Sequence, residues 1–152
     1  MALDIVTILS AVESHAMASG YFATVNGHEP KSPPTSGITC AVWVEQIGPA
    51  PGASGLVSTS TRLALYVRLY ASLNQQEPDA IDPDMMTALD ALMAAYSGDF
   101  TLGGLVRMVD LLGAHGEPLS ARAGYLDEVG SEYRVMTIVL PLVVNDLWEE
   151  AP

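Results

Sequence analysis

The sequence predicts an α+β fold: a largely antiparallel or mixed β-sheet, two main helices packed on it, and a long β-hairpin extension. Three observations predict it. Apolar residues recur at helical spacing in two separate stretches, and residues 38–47 and 61–73 alternate as half-buried strands do. The resulting order, a helix, two long strands, a second helix and then several strands, is that of helices gathered on one face of an antiparallel sheet. The 152 residues suit one domain with a sizeable core, 1–152, with flexible loops at about 27–37 and 48–60 and a short tail at 145–152.

Ile5, Ile8, Leu9, Val12 and Ala16 form one helical stripe over residues 4–19, with Asp4 as a capping acid and Gly20 as the stop. Tyr21 to Val25 is a short strand, and the proline-rich segment from His28 to Gly37 is an exposed loop. Ile38 to Ile47 is a strand with Ile38, Cys40, Val42 and Val44 on one face and Thr39, Ala41, Trp43 and Glu45 on the other. Residues 48–60 are small and almost uncharged, which suits an excursion that becomes ordered against a neighbour. From Thr61 the alternation resumes: Leu63, Leu65, Val67, Leu69 and Leu73 against Arg62, Tyr66, Arg68, Tyr70 and Ser72.

Asp82-Pro83-Asp84 reads as the opening of the second helix, with Met86, Leu89, Leu92, Met93 and Tyr96 as its buried stripe and Gly98 as its end. Val106 to Leu112 is a strand after the Gly103-Gly104 turn. Ala121–Leu126 and Tyr133–Val144 form a hairpin about residues 127–131. Pro141 removes a ladder donor, so the last strand is expected to become an edge or leave the sheet there.

Composition narrows the function. Six Lys and Arg against 18 Asp and Glu give a net charge of −12, a poor basis for gripping phosphate backbones. With 49% hydrophobic and 16% charged residues, the chain is too apolar for disorder. One cysteine, Cys40, excludes a disulfide framework within the chain and reads as a buried, inert thiol. No basic, apolar leader opens the sequence, and the apolar run 136–144 is too short to span a bilayer. The expectation is a soluble protein kept inside a cell, or inside a particle assembled there.

A search for chemistry yields no catalytic, cofactor-binding or metal-ligating set. His15, His28 and His115 lack zinc-ligand spacing, and Asp79, Asp82 and Asp84 fit helix capping rather than a calcium loop. The glycines of 48–55 lack the lysine and helix of a phosphate loop, and the hydroxyl run 58–61 has no base nearby in sequence. The unusual features are those of a surface. Tyr66 and Tyr70 alternate with Arg62 and Arg68, and Trp43 on the neighbouring strand extends the patch. That is either the half-exposed side of a sheet or a subunit contact, which favours tyrosine, tryptophan and arginine. Trp148 pins the tail or joins that contact.

The segments LDIVTILSAVESHAMASGYFATVNGHEPKSPP, ITCAVWVEQIGPAPGASGLVSTSTRLALYVRLYAS, DPDMMTALDALMAAYSGDF and VRMVDLLGAHGEPLSARAGYLDEVGSEYRVMTIVLPLVVNDLW together resemble the tail terminator, or tail completion, proteins of long-tailed bacteriophages (siphophages) of actinobacterial hosts. The resemblance spans nearly the whole chain and rests on element order rather than on a short motif. It implies a structural virion protein in the neck, assembled in the host cytoplasm: a hexameric ring on the head-proximal end of the tail tube that stops tube polymerisation and offers the head connector a docking surface. The partners it implies are further copies of the chain, the tail tube protein and the connector, with genomic DNA passing through unbound. It transfers no catalytic residue. On this reading Trp43, Leu56, Val57, Arg62, Tyr66, Arg68, Tyr70 and Trp148 meet subunits or partners, and Asp99, Asp110, Glu117, Asp127, Glu128 and Glu132 line a DNA-repelling lumen. The alternatives are another head–tail joining protein, a small intracellular enzyme using His115 with Asp110, or a ligand-binding domain with a deep apolar pocket.

Overall fold

In the computed structural model, residues 2–29, 37–51, 54–55, 57–73, 78–128 and 131–150 are described. Helix α1 (Ile5–Ser19) starts where Asp4 Oδ1 accepts the Thr7 N–H at 3.3 Å, and it ends at Gly20 with φ +78°. It buries Ile8, Val12 and Ala16. Helix α2 (Pro78–Gly98) begins a turn earlier than expected, with Pro78 at its first position and Asp79 in its first turn. Pro83 therefore lies inside the helix, where it cannot return a hydrogen bond to the Asp79 carbonyl. The buried row is Ile81, Met85, Ala88, Leu89, Leu92 and Tyr96, and Met86, expected in it, is 50% exposed. The Tyr96 hydroxyl donates to the Val12 carbonyl at 3.2 Å and ties α2 to α1.

The strands are β1 (Thr24–Asn26), β2 (Ile38–Pro49), β3 (Ser58–Ser72), β4 (Met108–Val109), β5 (Ser120–Glu128) and β6 (Ser131–Glu149). They form one sheet in the order β1-β2-β3-β6-β4, with β5 also on β6; β1 runs parallel to β2 and the other pairings are antiparallel. The sheet is thus mixed and largely antiparallel, as expected. β5 covers the 131–139 portion of β6 and β4 covers 142–143, so β6 has neighbours on both sides over much of its length.

Four expectations need correction. Much of 48–60 belongs to the sheet: β2 runs to Pro49, β3 starts at Ser58, and the N–H of buried Ala50 donates to the Ser60 carbonyl at 2.8 Å. The hydroxyl run is used in stitching this end to β6. Ser58 Oγ donates to Asp146 Oδ1 at 2.7 Å, and the Asp146 N–H donates to Ser60 Oγ at 3.1 Å, which holds Asp146 at φ +48° in a register shift. Of the expected strand 106–112 only Met108 and Val109 pair, because Asp110 turns the chain, leaving Leu112 94% exposed. Pro141 does not end its strand. Its carbonyl accepts from Asp110, so its missing N–H faces that side, where the neighbour changes from β5 to β4, and the ladder to β3 loses nothing. β6 accordingly continues to Glu149, so most of the expected tail is strand.

The core lies between the sheet and the two helices. Cys40, Val42, Leu63, Leu65, Val67, Leu69, Met136, Ile138, Leu140 and Leu142 meet the buried rows of α1 and α2 there. The opposite side of the sheet carries no helix among the described residues.

Candidate interaction surface

Cross-strand register builds the helix-free side. Trp43 on β2 stands opposite Tyr66 on β3, and Tyr66 opposite Val139 on β6; one step along, Ala41, Arg68, Thr137 and Arg122 on β5 form the next row. Trp43 and Tyr66 pack edge to face, with centroids 5.9 Å apart. The Arg68 guanidinium lies 5.3 Å from the Trp43 ring centroid and 6.0 Å from that of Tyr70, and its Nε donates to Thr137 Oγ1 at 2.7 Å. The Arg68 guanidinium is thus placed by two rings and by Thr137 together. Tyr70, with Ala41, Tyr133 and Val135, forms a small second core beneath this layer; at 2% exposure it supports the patch from within rather than presenting itself. Beside Arg68 a basin of about 250 Å³ opens between Tyr66, Arg122 and Thr137, where Gly124 contributes no side chain.

The other candidate contact residues scatter. Arg62 shares this side but donates to the Glu117 carbonyl at 2.9 Å. Val57, 68% exposed, and Trp148, 42% exposed, lie at the far end, where Val57 accepts from the Glu150 N–H. Leu56 lies outside the described residues.

The candidate lumen acids share no single surface. Asp99 follows α2 and lies 2.9 Å from His15 Nε2; its carboxyl is held below the ordinary 3.8 first by the Gly103 N–H and then by His15. Asp110 is not a surface charge: it is 1% exposed and accepts the backbone N–H groups of Ala114 and His115 at 2.8 and 2.9 Å. Glu117 lies 3.6 Å from Arg122 at the edge of the helix-free side. Asp127 and Glu132 face each other across the β5–β6 hairpin, and Glu128 is in register with Ser131.

The enzyme alternative loses its specific support, because Asp110 binds the backbone of His115 and not its ring. The His15–Asp99 pair was missed in the sequence, where 84 residues separate its members. Cys40 is buried and free; its thiol is pushed up to about 12, chiefly by burial and further by the charge of Glu13, as an inert thiol requires. Among the described residues no group of three or more His, Cys, Asp or Glu side chains could hold a metal ion, and no helix is long and apolar enough to cross a membrane.

Fold and surface together define a class: a small mixed sheet backed by two helices on one side and, among the described residues, bare of helix on the other. No family model and no curated protein matches the sequence. Among solved structures the chain is similar to one from the virion of a native gene transfer agent particle, at 15% identity and a TM-score of 0.43, covering 89% of this chain and 92% of that one.

Proposed function

We propose that this chain is a structural virion protein of the tail terminator class, the subunit of a six-membered ring that caps the head-proximal end of a tail tube. The ring ends tube polymerisation, offers a docking surface to the head connector and lets DNA pass. The observation that carries this reading is the helix-free side of the sheet, where Trp43, Tyr66 and Arg68 form an organised, half-buried layer with no covering element of the described chain. Such a layer has the residue types of a protein interface. The net charge of −12 supports the conduit role, since a ring of acidic subunits repels phosphate. Sequence order over nearly the whole chain points the same way.

The test is assembly. Mass measurement at low salt with negative-stain imaging is expected to show closed rings of six, and duplex DNA is expected not to be retained at ordinary salt. Strictly monomeric protein both free and on isolated tubes would sink the reading. Cross-links to connector alone, with none to tube protein, would move the chain elsewhere in the neck.

A further inference from the structure

Charge is unevenly divided between the two outer layers, with two exceptions: Arg134 pairs with Asp82 of α2 at 2.9 Å, and Glu117 lies 3.6 Å from Arg122 in the lining of the basin. Neither α1 nor α2 contains a lysine or arginine, while α2 carries Asp79, Asp82, Asp84 and Asp90. Three of the five arginines, Arg62, Arg68 and Arg122, belong to the helix-free side of the sheet. One copy therefore presents an acidic helix on one side and an arginine-aromatic layer on the other, and each is complementary to the other.

The outward row of α2 has a matching shape. Asp79, Met86, Asp90 and Ser97 are all exposed, and at about 100° per residue they fall within roughly 40° of one another. Met86 supplies an apolar anchor, 50% exposed, one turn from Asp90. The open basin beside Arg68 and Arg122 is large enough for a carboxylate side chain.

We infer that the arginine-aromatic side of one copy is covered by α2 of the next copy, with Asp90 received between Arg68 and Arg122 and Met86 set against the Trp43–Tyr66 pair. Such a contact joins two different surfaces, so it builds a ring or a filament according to the angle between them. The outward row of α2 lies about 130° around the helix axis from the row that faces the sheet. With that axis along the ring axis, the two contact surfaces point roughly 130° apart, an angle that suits closure at about six to eight copies and does not by itself single out six.

This inference rests on the ring reading and is tested by a charge exchange at two exposed positions, Arg122→Glu and Asp90→Arg. Each variant alone is expected to raise the concentration needed for assembly about tenfold or more, with an unchanged unfolding midpoint. Mixed in equal amounts, the two are expected to reassemble. The carboxylate introduced at position 122 of one then meets the guanidinium introduced at position 90 of the other, and the two native surfaces meet at the next seam. Alternation of this kind closes in a ring of six but not in one of five or seven. A short bis-maleimide linker between Arg122→Cys and Asp90→Cys is expected to give intermolecular ladders, with buried Cys40 silent. Rings that form undiminished in both single variants, or a mixture that stays dissociated, overturn the inference and leave the ring reading standing. An unsubstituted chain that never assembles overturns both.

Discussion

On the helix side of β3, Leu63, Leu65, Val67 and Leu69 are sealed beneath α1 and α2, whereas on the other side Arg62, Tyr66 and Arg68 are only partly covered. The backbone is common to both sides, so the difference resides in side chains alone. The helix side is a close-packed apolar layer, where stability follows volume and burial. The open side is held by directed contacts: an edge-to-face ring pair, arginine over two rings and one hydrogen bond to Thr137. A strand that alternates in this way builds the core with one set of residues and leaves part of the other set exposed.

The largest expected effect is therefore on the helix side. Leu140 is fully buried in the core, so Leu140→Ala is expected to lower unfolding stability by about 2–5 kcal/mol, read from chemical denaturation. A loss comparable to that of a surface substitution would break the contrast between the two sides.

Trp43→Ala probes the open side. It removes the pair with Tyr66 and the ring under Arg68, for an expected loss of about 1–2 kcal/mol in the isolated chain. The same substitution is expected to weaken assembly far more than it weakens folding, so association and denaturation measured on one preparation separate the two roles. Equal losses in both would make Trp43 merely a packing residue.

How much of this was legible depends on the range of the interaction. The first helix, with Asp4 and Gly20 at its ends, and the two faces of β2 and β3 followed from local spacing, as did the β5–β6 hairpin. The start of α2 was misread because Asp82-Pro83 imitates an opening, while Pro78 and Asp79 carry the same signals one turn earlier; the burial of Met85 rather than Met86 follows from its phase with Leu89, Leu92 and Tyr96. Pro141 was misread because one residue's N–H and C=O point to the same side of a strand, and sequence does not say which neighbour lies there. The patch of Trp43, Tyr66 and Arg68 was legible as a set, but Arg122 and Gly124, which complete the basin, arrive through pairing with β6. The burial of Asp110 depended on backbone amides four and five residues on, a turn that its apolar neighbours disguised as strand.

The smallest effect sharpens the comparison at the polar margin of the helix side, where α1 meets the end of α2. Asp99 accepts the Gly103 N–H at 2.9 Å and the His15 Nε2–H at 2.9 Å, and both contacts favour its charged form, so its folded pKa lies below the ordinary 3.8. A carboxyl with a lowered folded pKa adds stability that is fully present above its unfolded value and is lost as pH falls through the folded one. Asp99→Asn keeps the shape and removes the charge. The wild type should exceed it by about 1 kcal/mol or less at pH 7, since the side chain is 39% exposed and solvent screens the pair. That margin should vanish as the pH drops below the ordinary carboxylate range. Denaturation of both proteins at pH 7 and at about pH 2 reads the difference directly. A margin that persists at the acid end would mean that the loss in Asp99→Asn does not come from the charge of Asp99.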